Sequence, residues 1–208
     1  MCNSLVSLRH LHLSKVDISL ELCFEVLKIY SESNQLQSLT VQVYRQRDIA
    51  HLKKQLQDQS LVGLQKETFI ELGKMTNLEY LKFSIQLPFS EAINLFAIET
   101  LKKLNLLRKL KFDAFAIPGQ KQNYQQLGKI LGSHLQKLHY IQVPNCVNLK
   151  QIIDDLALRR IPTKISQGQK YYTVNQYLEM RKKCPYHFFN ILVDLENEQD
   201  RISQYFNL

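Results

Sequence analysis

Residues 107–112 read LRKLKF, and their spacing, apolar-x-x-apolar-x-apolar, occurs five times between residues 8 and 140. The first positions of the five copies are separated by 28, 42, 29 and 28 residues, so three of the four intervals agree within one residue. The alternation of apolar and polar residues in each copy is typical of a half-buried strand. The copies are Leu8-Leu11-Leu13, Leu36-Leu39-Val41, Leu78-Leu81-Phe83, Leu107-Leu110-Phe112 and Leu135-Leu138-Tyr140.

The stretches between these copies have the apolar spacing of amphipathic helices. Each unit is therefore predicted to be a strand, a loop and a helix, and no unit could bury its apolar face alone. We expect the strands to pair in parallel and in chain order, with the helices on one side of the sheet. The predicted core residues of the helices are Leu22, Val26 and Tyr30; Ile93, Phe96, Leu101 and Leu104; Leu127, Ile130 and Leu131; and Leu149, Ile152, Ile153 and Leu156.

Two regions depart from the regular period. The 42-residue interval indicates a helical insertion at about 44–62, with an extra helix from Asp48 to Gln59 and the regular helix from Gln65 to Lys74. After residue 140, a predicted helix from Val174 to Lys183 is flanked by two weaker copies, Leu158-Ile161-Thr163 and Phe188-Ile191-Val193. We therefore expect one domain over 1–208, with regular repeats over 5–147 and degenerate or capping repeats over 148–208.

The pattern resembles the leucine-rich-repeat family, and the period of 28 to 29 residues with a full helix is similar to its ribonuclease-inhibitor-like subclass. Residues 71–78 (ELGKMTNL) and 126–131 (QLGKIL) are similar to the helix-to-strand passage of that subclass. The resemblance implies an α/β solenoid with a curved parallel sheet on the concave side, helices on the convex side and a concave binding surface. The chain lacks the family's Asn or Cys three residues after the strand, where it has Val16, Tyr44, Gln86, Phe115 and Val143.

The net charge of +8 is concentrated in residues 101–183, which contain 16 Lys and Arg against 4 Asp and Glu. Such a region predicts an acidic protein surface or a phosphate backbone as the partner, although a solvated basic face is the alternative. No secretory signal or membrane-length apolar run is present, so we expect an intracellular, cytoplasmic protein without a membrane partner; an organelle or the nucleus remains open. The cysteines form no CxxC pair and are expected to be buried thiols: Cys2, Cys23, Cys146 and Cys184.

No motif for phosphate binding, zinc binding or nucleophilic catalysis is present. Gly73-Lys74 and Gly128-Lys129 are interpreted as helix ends with left-handed glycine caps. His10 and His12 point to the same side of a strand, and a solvated pair is favoured over a shared metal because no third ligand is near in sequence. Asp154 and Asp155 are predicted to lie on a solvated helix face. We therefore expect no enzyme, no cofactor and no metal.

The third, fifth and seventh positions of each copy are predicted to face the concave side. In the fifth copy these positions are Lys137, His139 and Ile141. The function expected is a non-catalytic scaffold, or a subunit of a larger assembly, that binds a protein with an acidic surface. The alternative is an RNA-contacting component of a ribonucleoprotein, because aromatic residues at 171–172 and 186–189 flank the basic run 181–183. The predicted partner-binding residues are His10, His12, Tyr80, Lys82, Lys109, Lys111, Lys137 and His139.

Both ends of the sheet need cover. The first strand is predicted to begin within about ten residues of Met1, which leaves the edge beside Leu11 and Leu13 bare. We expect another chain or upstream sequence to cover that edge. The segment from Asp200 to Leu208 is predicted to close the other end, with Ile202, Tyr205 and Phe206 facing inward.

Overall fold

The structure, a computed structural model, describes residues 8–43, 59–88, 91–115, 125–143 and 147–194. Residues 44–58 of the predicted insertion lie outside these ranges. The predicted extra helix therefore lies outside them too, except for its last residue, Gln59. The same holds for Cys2, Cys146 and the predicted closing segment from Asp200 to Leu208.

Seven strands in the described part of the chain form one sheet, and every neighbouring pair is parallel. Their order across the sheet is their order in the chain, so the predicted parallel pairing is confirmed. The strands are β1 (His10–Ile18), β2 (Ser38–Val43), β3 (Tyr80–Pro88), β4 (Lys109–Phe115), β5 (Tyr140–Gln142), β6 (Lys164–Thr173) and β7 (Phe188–Asp194).

Helices alternate with these strands, and the buried residues of both form one apolar core. The second helix begins at Gln59, six residues before its predicted start, whereas the last helix has the predicted bounds. Thr173 caps the last helix together with Gln176, which explains why it begins at Val174. The helices are α1 (Leu20–Ser33), α2 (Gln59–Lys74), α3 (Glu91–Leu101), α4 (Gln125–Ser133), α5 (Leu149–Ala157) and α6 (Val174–Lys183).

From β2 to β6, the fourth position of each unit forms a ladder of buried residues across the sheet: Leu39, Leu81, Leu110, Ile141 and Ile165. At the outer edge of β1, Leu11 and Leu13 are only partly buried, whereas the residues paired with them on β2 are fully buried. No described strand pairs with that edge. What covers it stays a prediction.

The register predicted for the fifth copy is wrong by three residues. Ile141 pairs with Leu110, so the fifth unit reads Leu138-His139-Tyr140-Ile141-Gln142-Val143. The backbone N–H of Leu138 donates to Leu135 in a turn that also joins Leu107 to Leu104 and Leu78 to Met75. In these three units an apolar residue, Met75, Leu104 or Leu135, lies three positions before the first residue of the strand motif. From sequence alone, Leu135 was mistaken for that first residue.

The registers predicted for the last two copies are also wrong. Ile165 and Phe189 occupy the fourth position in β6 and β7, because they align with Ile141. The residues assigned there by sequence include Leu158 and Ile161, which are exposed. The first weak copy is polar at its sixth position, Thr163, and apolar residues occur on both alternations around β7, so the sequence does not fix either register.

The buried face of α1 differs from the predicted one. Leu22 is 52% exposed and Val26 is only partly buried, while Cys23 and Leu27 are fully buried. Both sets have helical spacing, so α1 is apolar on two sides and periodicity alone does not decide between them. The predicted core residues of α4 and α5 are all buried, and these predictions are confirmed: Leu127, Ile130, Leu131, Leu149, Ile152, Ile153 and Leu156.

The predicted glycine caps are wrong, because Gly73 and Gly128 lie inside helices. Gly128 and Gly132 are one turn apart on α4, and both face α5. A Cβ at Gly132 would lie 2.4 Å from the carbonyl oxygen of Asp155, and one at Gly128 would lie 2.7 Å from the Asp155 Oδ2. These glycines therefore allow the two helices to approach more closely than larger residues would permit.

We predict that Gly132→Ala lowers the free energy of unfolding by about 1–3 kcal/mol, because the added methyl group collides with backbone. This loss should exceed the gain of roughly 1 kcal/mol that alanine brings to a helix interior. The control is Gly63→Ala in α2, where an added Cβ meets nothing within 4 Å and stabilisation is expected. Urea denaturation measures both variants, and equal stabilisation by both would contradict the close contact.

Arg159 is 2% exposed, and its guanidinium lies among backbone carbonyls between α4 and β6. Nη1 donates to the carbonyls of Leu131 and Leu135 at 3.0 and 2.7 Å, and Nη2 donates to Leu138. Nε donates to the Thr163 hydroxyl at 2.9 Å. Burial lowers the pKa of Arg159, although the negative end of the α4 dipole favours a cation at this place. One side chain thus satisfies carbonyls of two consecutive units.

We predict that Arg159→Met lowers the free energy of unfolding by at least about 3 kcal/mol, because several buried carbonyls lose their donors at about 1–3 kcal/mol each. Arg159→Lys keeps the charge but has fewer donors, so it should recover only part of this loss. The exposed neighbour Arg160 is the control, and Arg160→Met should shift stability by only about 0.5 kcal/mol. Chemical denaturation of the three variants provides the test. A stability of Arg159→Met within about 1 kcal/mol of the parent would contradict this role.

Candidate functional site

The strand registers align polar and aromatic side chains on the face of the sheet opposite the helices, which we term the open face. It consists of two rows, one from the third and one from the fifth position of each unit. The third-position row is His10, Ser38, Tyr80, Lys109, Tyr140, Lys164 and Phe188. The fifth-position row is His12, Thr40, Lys82, Lys111, Gln142, Ser166 and Asn190.

Six of the eight predicted binding residues lie in these rows: His10, His12, Tyr80, Lys82, Lys109 and Lys111. Lys137 and His139 do not, because the fifth unit is shifted by three residues. Both are exposed, but Lys137 precedes the strand and His139 lies at the second position. Ile141, which was predicted to face the partner, is buried in the core.

Sequence reasoning missed the members of the rows that come from the last three strands. Among them are Tyr140, Lys164 and Phe188 in the third-position row. The alignment of Ile141 with Leu110 would have identified Tyr140, since the residue before the fourth position faces away from the core. The sequence around β6 and β7 offered no comparable alignment that would have identified Lys164 and Phe188.

Aromatic and lysine side chains alternate along the third-position row from β3 to β7, in the order Tyr80, Lys109, Tyr140, Lys164, Phe188. Lys109 and Lys164 are exposed, and Phe188 is 64% exposed. The Nζ of Lys111, in the other row, lies 5.6 Å from the centre of the Tyr140 ring, a cation–π distance. The two rows together contain four lysines and no Asp or Glu, although Asp113 lies at the seventh position of β4, two residues after Lys111.

A shallow groove of about 550 Å³ runs across the beginnings of the strands. Backbone hydrogen bonds fix its floor: the Glu79 carbonyl accepts from Arg108 and Lys109, and the Arg108 carbonyl accepts from His139 and Tyr140. Arg108 Nε lies 3.2 Å from Glu79 Oε2, so the acidic group in the groove is already paired. The lining residues are His10, Gln37, Ser38, Glu79, Tyr80, Arg108, Lys109 and His139.

The groups considered for catalysis or metal binding lie apart from one another. Among the described residues, no three His, Cys, Asp or Glu side chains converge on a common point. Burial raises the pKa of Cys23 to about 12 and that of Cys184 to about 11, so both thiols stay protonated at neutral pH. Asp154 is exposed and pairs with Lys183 at 2.7 Å.

A comparison with models of known protein families finds no match to this chain, and a search of curated proteins finds none either. Within the described ranges, no helix combines the length and apolar character needed to cross a membrane.

His187 is the buried titratable group nearest to the C-terminal end of the open face. Its Nε2 lies 2.9 Å from the Leu156 carbonyl oxygen and therefore carries a proton, while Nδ1 has no hydrogen-bond partner in the described part of the chain. Burial lowers the pKa of His187, the Leu156 carbonyl opposes this effect, and the nearby Arg159 charge adds to it. The Tyr186 backbone also opposes the lowering, but the net direction of the pKa is downward, so the neutral ring is favoured in the folded state.

We predict that the chain loses stability as the pH falls below about 6.5, because the unfolded His187 takes up a proton that the folded one resists. One such group contributes a slope of at most about 1.4 kcal/mol per pH unit. His187→Gln keeps an amide donor for the Leu156 carbonyl and should reduce this slope. His134→Gln, at an exposed site, should leave it unchanged. Urea denaturation between pH 5 and 8 measures all three proteins, and identical slopes would contradict the assignment.

Proposed function

We propose that the chain is a leucine-rich-repeat solenoid, of the ribonuclease-inhibitor-like type, whose open face is the concave surface. Parallel strands in chain order, a ladder of aligned leucines and helices on one side of the sheet support this proposal. Adjacent strands lie about 4.8 Å apart, whereas packed helices need roughly 8–10 Å between their axes. The helical side therefore requires the longer arc, and the sheet bends toward its open face.

We further propose that the protein is a non-catalytic, intracellular interaction scaffold or assembly subunit that binds an acidic protein surface through this face. The observation that carries the proposal is the charge of the third- and fifth-position rows, which contain four lysines and no carboxylate; Asp113, at the seventh position of β4, is an acidic residue beside them. None of Lys82, Lys109 and Lys164 forms an ion pair with another described residue. Unpaired cations on one face attract an anionic partner and set its orientation.

RNA is the second candidate partner, and a specific observation favours it. Tyr80, Tyr140 and Phe188 lie in one row with lysines between them, and a basic surface with exposed rings is how single strands are bound without base-specific contacts. The two candidates differ in whether the rings stack on bases or pack against a peptide.

The test compares two triple charge reversals. The first, Lys82→Glu, Lys109→Glu and Lys111→Glu, changes the open face; Lys137 is left out because it lies outside the rows. The control, Lys66→Glu, Lys129→Glu and Lys182→Glu, changes exposed residues of α2, α4 and α6 by the same charge. Exposed substitutions typically shift stability by only about 0.5 kcal/mol each, so both proteins should remain folded.

We predict that the open-face variant binds a fluorescent twelve-residue polyglutamate peptide at least about tenfold more weakly than the parent protein, while the control loses far less. Both are measured by fluorescence anisotropy at one ionic strength, because salt screens long-range attraction. Equal losses would reduce the binding to non-specific attraction by net charge. Clearly tighter binding of a twelve-nucleotide oligouridylate than of the peptide would favour the RNA alternative.

A further inference from the structure

We propose that the open face binds an extended acidic segment in the polyproline II conformation, lying across the strands from β3 to β7 with an acidic residue at every third position. This inference rests on the proposed function and specifies the partner of the same surface. It is carried by the alternation of aromatic and lysine side chains in the third-position row.

The spacing of the lysines selects the conformation of the partner. Lys109 and Lys164 lie on strands β4 and β6, which are separated by one strand, so their backbones are about 9.6 Å apart. A polyproline II segment rises about 3.1 Å per residue and repeats its side-chain direction every three residues, or about 9.3 Å. A β-strand repeats every two residues, or about 6.7 Å, and one turn of α-helix rises about 5.4 Å. Polyproline II is the closest match.

The aromatic residues lie where such a segment needs apolar contacts. Tyr80, Tyr140 and Phe188 occupy the strands on either side of the two lysines. Segments in the polyproline II conformation are commonly recognised by aromatic-lined grooves, into which their proline rings pack. Lys111 lies over the Tyr140 ring and restrains it, while Phe188 presents an exposed ring at the end of the row.

The lysine charges of the row favour a partner segment that has acidic residues between its prolines. Lys109 and Lys164 are exposed and form no ion pair with a described residue, so each can pair with a carboxylate of the partner. Glu79, the acidic residue nearest the row, is already paired with Arg108. The row spans about 19 Å from β3 to β7, which corresponds to roughly six residues of polyproline II.

The experiment compares two peptides of the same composition and charge, (Glu-Pro-Pro)4 and an isomer with its four glutamates in one block. The parent protein should bind the periodic peptide at least about tenfold more tightly. This preference should disappear in the double variant Lys109→Gln and Lys164→Gln. It should persist in Lys66→Gln and Lys129→Gln, which removes the same charge from exposed residues of α2 and α4.

The rings are tested separately. Tyr140→Ser should weaken binding of the periodic peptide, whereas Tyr186→Ser, at an exposed ring outside the rows, should not. Circular dichroism and a thermal melt establish that each variant is folded before its affinity is compared. If folded Tyr140→Ser bound as tightly as the parent protein, the aromatic contacts would be refuted.

The outcomes separate this inference from the proposed function. Equal affinity for both peptides, with both weakened by the open-face charge reversals, would overturn the polyproline II spacing and leave an acidic partner on this face. If the open-face and control reversals weakened both peptides equally, or if neither peptide bound, both proposals would fall. Tighter binding of oligouridylate than of either peptide would also overturn both, in favour of RNA.

Discussion

Parallel strands lie about 4.8 Å apart, whereas helices packed side by side need roughly 8–10 Å between their axes. Consecutive described helices pack against one another beside the sheet, so the two spacings compete wherever a strand pair and a helix pair belong to the same two units. A sheet that bends away from its helices relieves the competition, and a closer approach of the helices reduces it. Gly128 and Gly132 allow that closer approach between α4 and α5, because neither places a side chain of its own between the two helices. The spacing of these two helices therefore depends on glycine at both positions.

Consecutive units also need hydrogen-bond donors for the backbone carbonyls at their turns. Near α1, Asn34 adopts a left-handed conformation, and its side chain donates to the Thr76 hydroxyl of the next unit at 3.0 Å. Asn77 in turn donates to the Asn34 carbonyl at 2.7 Å. Further along, Arg159 binds the carbonyls that follow α4. Different polar side chains thus join consecutive units at different places along the sheet. They hold the strand beginnings in register, and that register decides which side chains reach the open face.

The sequence determined the parallel order of the strands because each regular unit has the same apolar residues at the same spacing. It did not determine the register of β5, since Leu135 and Leu138 match the strand motif as well as Leu138 and Ile141 do. It also did not reveal the buried face of α1, which has two apolar sides, or the role of Arg159, whose carbonyl acceptors lie more than twenty residues away. Six of the residues predicted to bind a partner, from β1, β3 and β4, lie on the open face. Lys164 and Phe188 were missed because the motif is unclear in β6 and β7. Local periodicity predicts where helices and strands occur, but the pairing between strands determines which side chains lie together on the open face.

The residues on the two faces of each strand differ in what constrains them. Those on one face pack in the core, whereas those on the open face do not. Core positions such as Leu81 and Leu110 are buried in a ladder that tolerates little change in volume. The residues beside them, Lys82 and Lys109, face away from the core, so their identity can change with little effect on the fold. Each unit contributes one third-position residue, and the strand spacing fixes the distance between successive contributions. The recognition properties of the surface are therefore set by the order of residue types along the row. A change from Lys to an aromatic residue in one strand would alter the spacing of its charges without disturbing the core.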